Sequence, residues 1–264
     1  MADRFLTSSG SSIFFEDEGA GLPVVALHGL GGGAYFFRGL ALRLNGRCRV
    51  RAIDLPGTGR STSGAPEFSA WTWIRDIGEF IERVVGEPAV VVGHSLGTIL
   101  ALLGWAAWPQ HVRALVMVGG LPEVRPVIRE RLTQRIEPVG RDGLAGWGAR
   151  VSPGVFSPAT IRGQPEIVTL FERVLELQDS AAYVRSMQIL LGASATSVIP
   201  TVRVPAMAIT GDDDQYAPPE AVRAFASQFP RGCRVATLSS CGHLPFLEVP
   251  DAFAALVQSF LDTL

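Results

Sequence analysis

Ala89-Val90-Val91-Val92-Gly93-His94-Ser95-Leu96-Gly97, running on into Thr98-Ile99-Leu100-Ala101-Leu102-Leu103, decides the fold. Residues 89–92 form an apolar, mostly β-branched run, the pattern of a strand buried on both faces. The apolar run of 98–108 predicts a buried helix. Between them, residues 93–97 fit G-x-S-x-G, a strained strand-to-helix turn that lifts a serine hydroxyl above the end of a sheet. Glycine is needed at 93 and 97 because neighbouring chain passes too close for a Cβ. An ordinary serine in a glycine turn is the plainer alternative, and the strand before and helix after weigh against it.

Working outward, the same alternation continues. Further strands are expected at 12–16, 23–28, 49–54, 114–118, 206–210 and 234–238. Between strands, Trp73, Ile77, Phe80, Ile81 and Val84 form one apolar helical stripe. Pro250 stands where a helix starts, and Phe253, Leu256, Val257, Phe260, Leu261 and Leu264 then repeat at helical spacing. Apolar strands alternating with helices predict an α/β fold: a mostly parallel twisted sheet with helices on both faces. Residues 121–200 break the pattern with helical periodicity and seven prolines but no convincing strand. Such a stretch is too long for an ordinary crossover. The expected organisation is therefore a core of 1–120 and 201–264 carrying a helical lid at 121–200.

Composition narrows the function. The 264 residues are 47% hydrophobic and 18% charged, which excludes a disordered chain. Net charge is −2 and no basic stripe exists, so nucleic acid is not an expected partner. All 23 basic residues are arginine, which excludes Schiff-base and Ser-Lys chemistry. Residues 1–10 contain Asp3 and Arg4 and no apolar core, unlike a signal peptide. His94, Ser95 and Thr98 interrupt the most apolar stretch, 88–108, so no membrane span is expected. Cys48, Cys233 and Cys241 are odd in number and lack C-x-x-C spacing, which points to free thiols and a cytoplasmic protein.

Three further segments carry chemistry. The glycine-rich turn of 28–33 follows a strand and can aim backbone N–H groups into a site. Acyl transfer needs two such donors for the developing oxyanion, here the N–H groups of Leu30 and Leu96. A phosphate-binding loop is poorly supported, since the G-x-G-x-x-G spacing and the Walker lysine are both missing. Of the four histidines, His28, His94, His111 and His243, the last lies on a loop after the final strand, where a general base belongs. His28 reads as a structural hydrogen-bonding residue. Asp212, Asp213 and Asp214 close the preceding strand, and a carboxylate there would orient the histidine. Their adjacency leaves the choice among them open, and at least one caps a solvated turn.

HGLGGG at 28–33, DLPGTGRS at 54–61, GHSLG at 93–97, GDDDQYAPP at 211–219 and CGHLPFLEVP at 241–250 together resemble the α/β-hydrolase fold family over nearly the whole chain. The resemblance selects Asp214 as the acid and assigns the oxyanion donors to Leu30 and Leu96. It gives Asp54, with Gly57 and Gly59, a structural role. Residues 181–205 resemble the end of the lid in 3-oxoadipate enol-lactonases and related serine esterases. Those lactonases carry Asn-Ser where this chain has His28-Gly29. Leu244 differs from the tryptophan of meta-cleavage hydrolases, and Ser95 excludes the aspartate-nucleophile dehalogenases and epoxide hydrolases.

The expectation is thus a serine hydrolase acting on a small-molecule carboxylic ester or lactone, with Ser95, His243 and Asp214 as catalytic residues. No metal or organic cofactor is implied. A perhydrolase or acyltransferase, and a slow ligand sensor on the same fold, are the alternatives. Trp147, Phe156, Phe171, Tyr183 and Met187 are the candidates to line the pocket. Arg125, Arg129, Arg131 and Arg135 could hold a substrate carboxylate or simply form an exposed helix face.

Overall fold

A computed structural model describes residues 1–64 and 69–264. Its strands are β1 (Ala2–Leu6), β2 (Ser12–Gly19), β3 (Leu22–Leu27), β4 (Cys48–Ile53), β5 (Ala89–His94), β6 (Val112–Val118), β7 (Ala206–Gly211) and β8 (Arg234–Leu238). They form one sheet in the order β1-β2-β4-β3-β5-β6-β7-β8. β1 and β2 run antiparallel to their neighbours, and the other pairings are parallel. Every residue of β5 and β7 is buried, as their unbroken apolar sequences require.

β1 is an addition to the expected strands. It is an edge strand with four of its five residues exposed, Leu6 among them, so it carries no apolar signature. Its pairing with β2 through Phe5 and Ile13 supplies the order that its own side chains do not.

The helices are α1 (Arg38–Arg43), α2 (Ala70–Phe80), α3 (Leu96–Ala107), α4 (Pro126–Asp142), α5 (Trp147–Val155), α6 (Pro158–Gly163), α7 (Pro165–Glu176), α8 (Ser180–Gly192), α9 (Pro219–Ala226), α10 (Pro245–Glu248) and α11 (Pro250–Leu261). The apolar stripe of α2 packs against α3, which is buried on nearly every side, and α1 packs against α11. α2 continues into a five-residue π-helical turn, Ile81–Val85, which ends at Gly86 with φ 78°.

Between β6 and β7 the chain folds into the five helices α4 to α8. Pro126, Pro158 and Pro165 each open a helix, where the missing N–H costs nothing. The two ends of this excursion are tied together. Ala195 N–H donates to the Pro122 carbonyl at 2.8 Å, and Glu123 and Ser194 form an isolated antiparallel bridge. No helix among the described residues is long and apolar enough to cross a membrane.

Candidate active site

β3, β5, β7 and β8 are parallel, so their carboxyl ends share one edge of the sheet, where α/β proteins bind ligands. Ser95 stands between β5 and α3 with φ 53° and ψ −113°, a conformation that L-residues rarely adopt. Two contacts hold it there. Its N–H donates to the Val118 carbonyl at 2.9 Å, and its own carbonyl accepts from Thr98 N–H at 2.9 Å. A Cβ at Gly93 would stand 2.2 Å from the Gly97 carbonyl oxygen, and one at Gly97 2.2 Å from that of Leu27. Only glycine fits either position. Ser95 is half-exposed, whereas Gly93, His94, Leu96 and Gly97 are buried.

His243 follows β8, and its Nδ1 lies 2.9 Å from Asp214 Oδ2. Asp214 Oδ1 accepts the N–H groups of Tyr216 at 2.8 Å and Ala217 at 2.9 Å, so the carboxylate is fixed before it meets the imidazole. Both side chains are buried. Asp212 and Asp213 are exposed, and Asp212 Oδ1 accepts Cys241 N–H at 3.0 Å. His94 Nε2 donates to the His243 carbonyl at 3.0 Å and braces that loop from beneath. Burial, and the neighbouring His243, hold His94 well below the ordinary histidine range. The Tyr216 ring lies over His243 with centroids 4.7 Å apart.

Glu248 and Gly119 were not singled out by sequence. Glu248 is buried, with Oε1 accepting from Gly242 and Leu244 and Oε2 from Ser157 N–H and Thr160 Oγ1. It therefore joins both flanks of His243 to the start of α6. Gly119 has φ 53°, and a Cβ there would press within 3.1 Å of His243 Nδ1 and 3.2 Å of Asp214 Oδ2. The Gly119-Gly120 pair after β6 was the only signal available.

The glycine turn follows β3. Gly32 N–H closes it onto the Gly29 carbonyl at 3.1 Å, which leaves the N–H of Leu30, at the turn's second position, outside that bond. A Cβ at Gly29 would stand 2.8 Å from that of Ser95, so the turn lies directly against the serine. Leu96 is the first residue of α3, and its N–H has no intrahelical acceptor. Two residues hold the turn. Asp54 accepts Ala34 N–H at 2.7 Å and Arg60 N–H at 2.8 Å. His28 Nε2 accepts Leu55 N–H at 3.0 Å, so Nδ1 carries the proton and donates to Gly29 at 2.7 Å.

Above this edge is a cavity of about 810 Å³, mouth included, lined by Ser95, His243 and Leu30 from the sheet and by residues of α4, α5, α7 and α8. Phe171 and Tyr183 are in its wall; Trp147, Phe156 and Met187 are not. The Trp147 ring lies near the guanidinium groups of Arg135 and Arg150, at 5.5 and 5.1 Å. Phe156 and Met187 are core, with Phe156 packed edge-on against Phe171 at 5.2 Å. Helical periodicity marks such residues as inward-facing without distinguishing core from cavity. Ile128, Leu132, Val151, Val155 and Leu175 line the wall instead, as do Arg125 and Arg135, whereas Arg131 is exposed. All three cysteines are free thiols. Burial, then Glu248 and Asp214, push Cys241 far above the usual thiol range, so it is not a nucleophile beside His243.

Comparison with known proteins places this geometry. A model of the alpha/beta hydrolase family matches residues 24–256. The chain belongs to the alpha/beta hydrolase family. It is 29% identical over 93% of its length to the pimeloyl-[acyl-carrier protein] methyl ester esterase of Stenotrophomonas maltophilia, covering 95% of that protein. It is 30% identical over 92% of its length to polyketide synthase ThaQ of Burkholderia thailandensis, of which it spans only 12%. The enol-lactonase of Burkholderia xenovorans superimposes with a TM-score of 0.90 at 20% identity, covering 98% of this chain and 100% of that one. An esterase thus appears among its relatives in sequence, and an enol-lactonase shares its fold.

Proposed function

We propose that this hydrolase cleaves a small-molecule carboxylic ester or lactone through an acyl-enzyme on Ser95. The observation that carries the reading is the buried Asp214–His243 pair at 2.9 Å, opening on the same cavity as the half-exposed serine. Asp214 accepts a hydrogen bond from Nδ1–H, leaving Nε2 as the base. As Ser95 Oγ attacks the carbonyl carbon, its proton passes to Nε2 and the carbonyl oxygen becomes an oxyanion. The N–H groups of Leu30 and Leu96 stabilise that charge. The C–O bond then breaks, and the imidazolium protonates the leaving alkoxide. Water, deprotonated by Nε2, repeats the sequence on the acyl-enzyme and regenerates Ser95. Residues 121–200 act as the lid that selects the substrate, while the sheet supplies the chemistry.

Labelling with a fluorophosphonate tests the nucleophile. Wild-type protein incorporates the probe at Ser95, and Ser95→Ala neither incorporates it nor retains more than about 10⁻³ of wild-type kcat on p-nitrophenyl esters. Labelling that survives in Ser95→Ala refutes the assignment. Labelling without turnover marks a ligand sensor instead.

A further inference from the structure

His243 meets Asp214 in the plane of its ring, and two other rings pack on it among the described residues. The Tyr216 ring lies over it with centroids 4.7 Å apart and planes 35° from parallel. The His94 ring lies against it at 4.8 Å, tilted by 54°. Tyr216 is half-buried and lines the cavity. It is fixed at both ends. Its N–H donates to Asp214 Oδ1 at 2.8 Å, on the same carboxylate that meets His243. A Cβ at Gly154 of α5 would stand 3.8 Å from its hydroxyl, and the adjacent Gln215 Nε2 donates to the Pro153 carbonyl at 3.4 Å. Tyr216 therefore reaches from the turn of the acid, across the base, to the lid.

When Nε2 takes the serine proton, His243 becomes a cation, and its surroundings decide what that charge costs. His94 stays neutral. Burial, and the neighbouring His243, hold it well below the ordinary histidine range. Its Nδ1 is buried with no hydrogen-bond partner among the described residues, so a proton placed there would have no acceptor. Glu248 of α10 is occupied by the N–H groups of Gly242 and Leu244. The Cys241 thiol is kept neutral by burial. Arg135 of α4 shares the cavity wall and donates to the Tyr183 hydroxyl at 3.0 Å. Asp214 balances the cation in the plane of the imidazole. Over the face, the π-electrons of Tyr216 are what it meets. An aromatic face is negative, and a cation within about 6 Å of the ring centroid is attracted to it, more strongly where water is excluded.

We infer that Tyr216 is a positioning residue for the reaction on Ser95: its ring steadies the His243 imidazole and stabilises the imidazolium that forms when the serine gives up its proton. A neutral imidazole gains less from the same face, so the contact is stronger in the transition state than before it, which is the condition for raising kcat. The inference rests on the hydrolase reading above, and the experiment separates the failure of one from the failure of the other.

The pH dependence of kcat/KM for a p-nitrophenyl ester is measured in wild type, Tyr216→Phe and Tyr216→Leu. Tyr216→Phe keeps the aromatic face and stays within about twofold of wild type on the alkaline plateau. Tyr216→Leu keeps the hydrocarbon cover and loses the face. Its plateau falls about five- to thirtyfold, and the acid limb, which reports the base in the free enzyme, moves to lower pH by about half a unit or more. A residue that only fills the cavity wall would slow the reaction without moving that limb. A fall with the limb in place therefore overturns the inference, as does an unchanged plateau or a limb that moves to higher pH. If Tyr216→Leu does not fold, Tyr216→pentafluorophenylalanine takes its place, since it keeps the ring's shape and reverses the polarity of its face; the same outcomes apply. If wild type neither cleaves the ester nor takes up the fluorophosphonate, the hydrolase reading falls, and the NMR titration of the His243 ring, assigned by its loss in His243→Gln, tests Tyr216 without turnover. A titration midpoint lower in Tyr216→Leu than in wild type then supports the contact, and equal midpoints overturn it.

Discussion

Asp212, Asp213 and Asp214 are chemically identical neighbours, and burial separates them. Asp214 turns inward to two backbone N–H groups and His243 Nδ1, Asp212 caps the Cys241 loop, and Asp213 is in solvent. A carboxylate that only holds an imidazole still governs catalysis, because it sets the tautomer and balances the imidazolium. Asp214→Asn is therefore expected to lower kcat/KM for p-nitrophenyl esters by about 10³–10⁴-fold. Asp213→Asn, which touches nothing in the site, changes it by less than about tenfold. A severe Asp213→Asn and a mild Asp214→Asn would mean that the acid is not the residue facing His243.

Elements meet at single side chains, and Glu248 shows how. Its carboxylate accepts four N–H or O–H donors, two from the backbone flanking His243 and two from the first turn of α6. Two oxygens with two donors each leave no place for an amide NH2. In Glu248→Gln one pair of donors must face another donor, and lost buried hydrogen bonds to a charged group cost about 1.5–3 kcal/mol each. The expected loss is about 2–4 kcal/mol in chemical denaturation, together with a fall in kcat as the His243 loop slackens. A variant as stable as wild type would mean that the contact is dispensable. The same logic explains the α3 turn. Gly97 must pass beneath the Leu27 carbonyl, so the position of Ser95 depends on a strand some seventy residues earlier in the chain.

At the scale of the whole molecule, stability depends on two buried histidines. Burial lowers the pKa of His28 and lowers that of His94 further, so the folded state keeps both neutral where the unfolded chain protonates them. Below the unfolded value of about 6.5 the unfolded state binds more protons, and stability falls with pH. Urea midpoints should be level between about pH 7 and 8 and decline on acidification below about 6.5. The decline should be shallower in His94→Gln. A midpoint that holds steady down to about pH 5 would contradict the burial argument. The order of strands and helices was legible from the chain because apolar periodicity and the spacing of Gly and Pro are local properties. The strand–turn–helix around Ser95 was legible for the same reason. β1 was not, since an exposed edge strand has no apolar pattern to display. Nor were Gly119, Glu248 or the cavity walls. Each is defined by what approaches it across β5 to β8 or down from α4 to α8. Sequence alone determined which segments, β1 apart, become the strands of the sheet and which turn carries the serine. Local pattern left three acids open and only the family resemblance pointed to Asp214, whereas tertiary structure alone decided which inward-facing side chains line a cavity rather than a core. The reason is physical: backbone propensity and hydrophobic period act over a few residues, whereas burial and pairing exist only once distant segments touch.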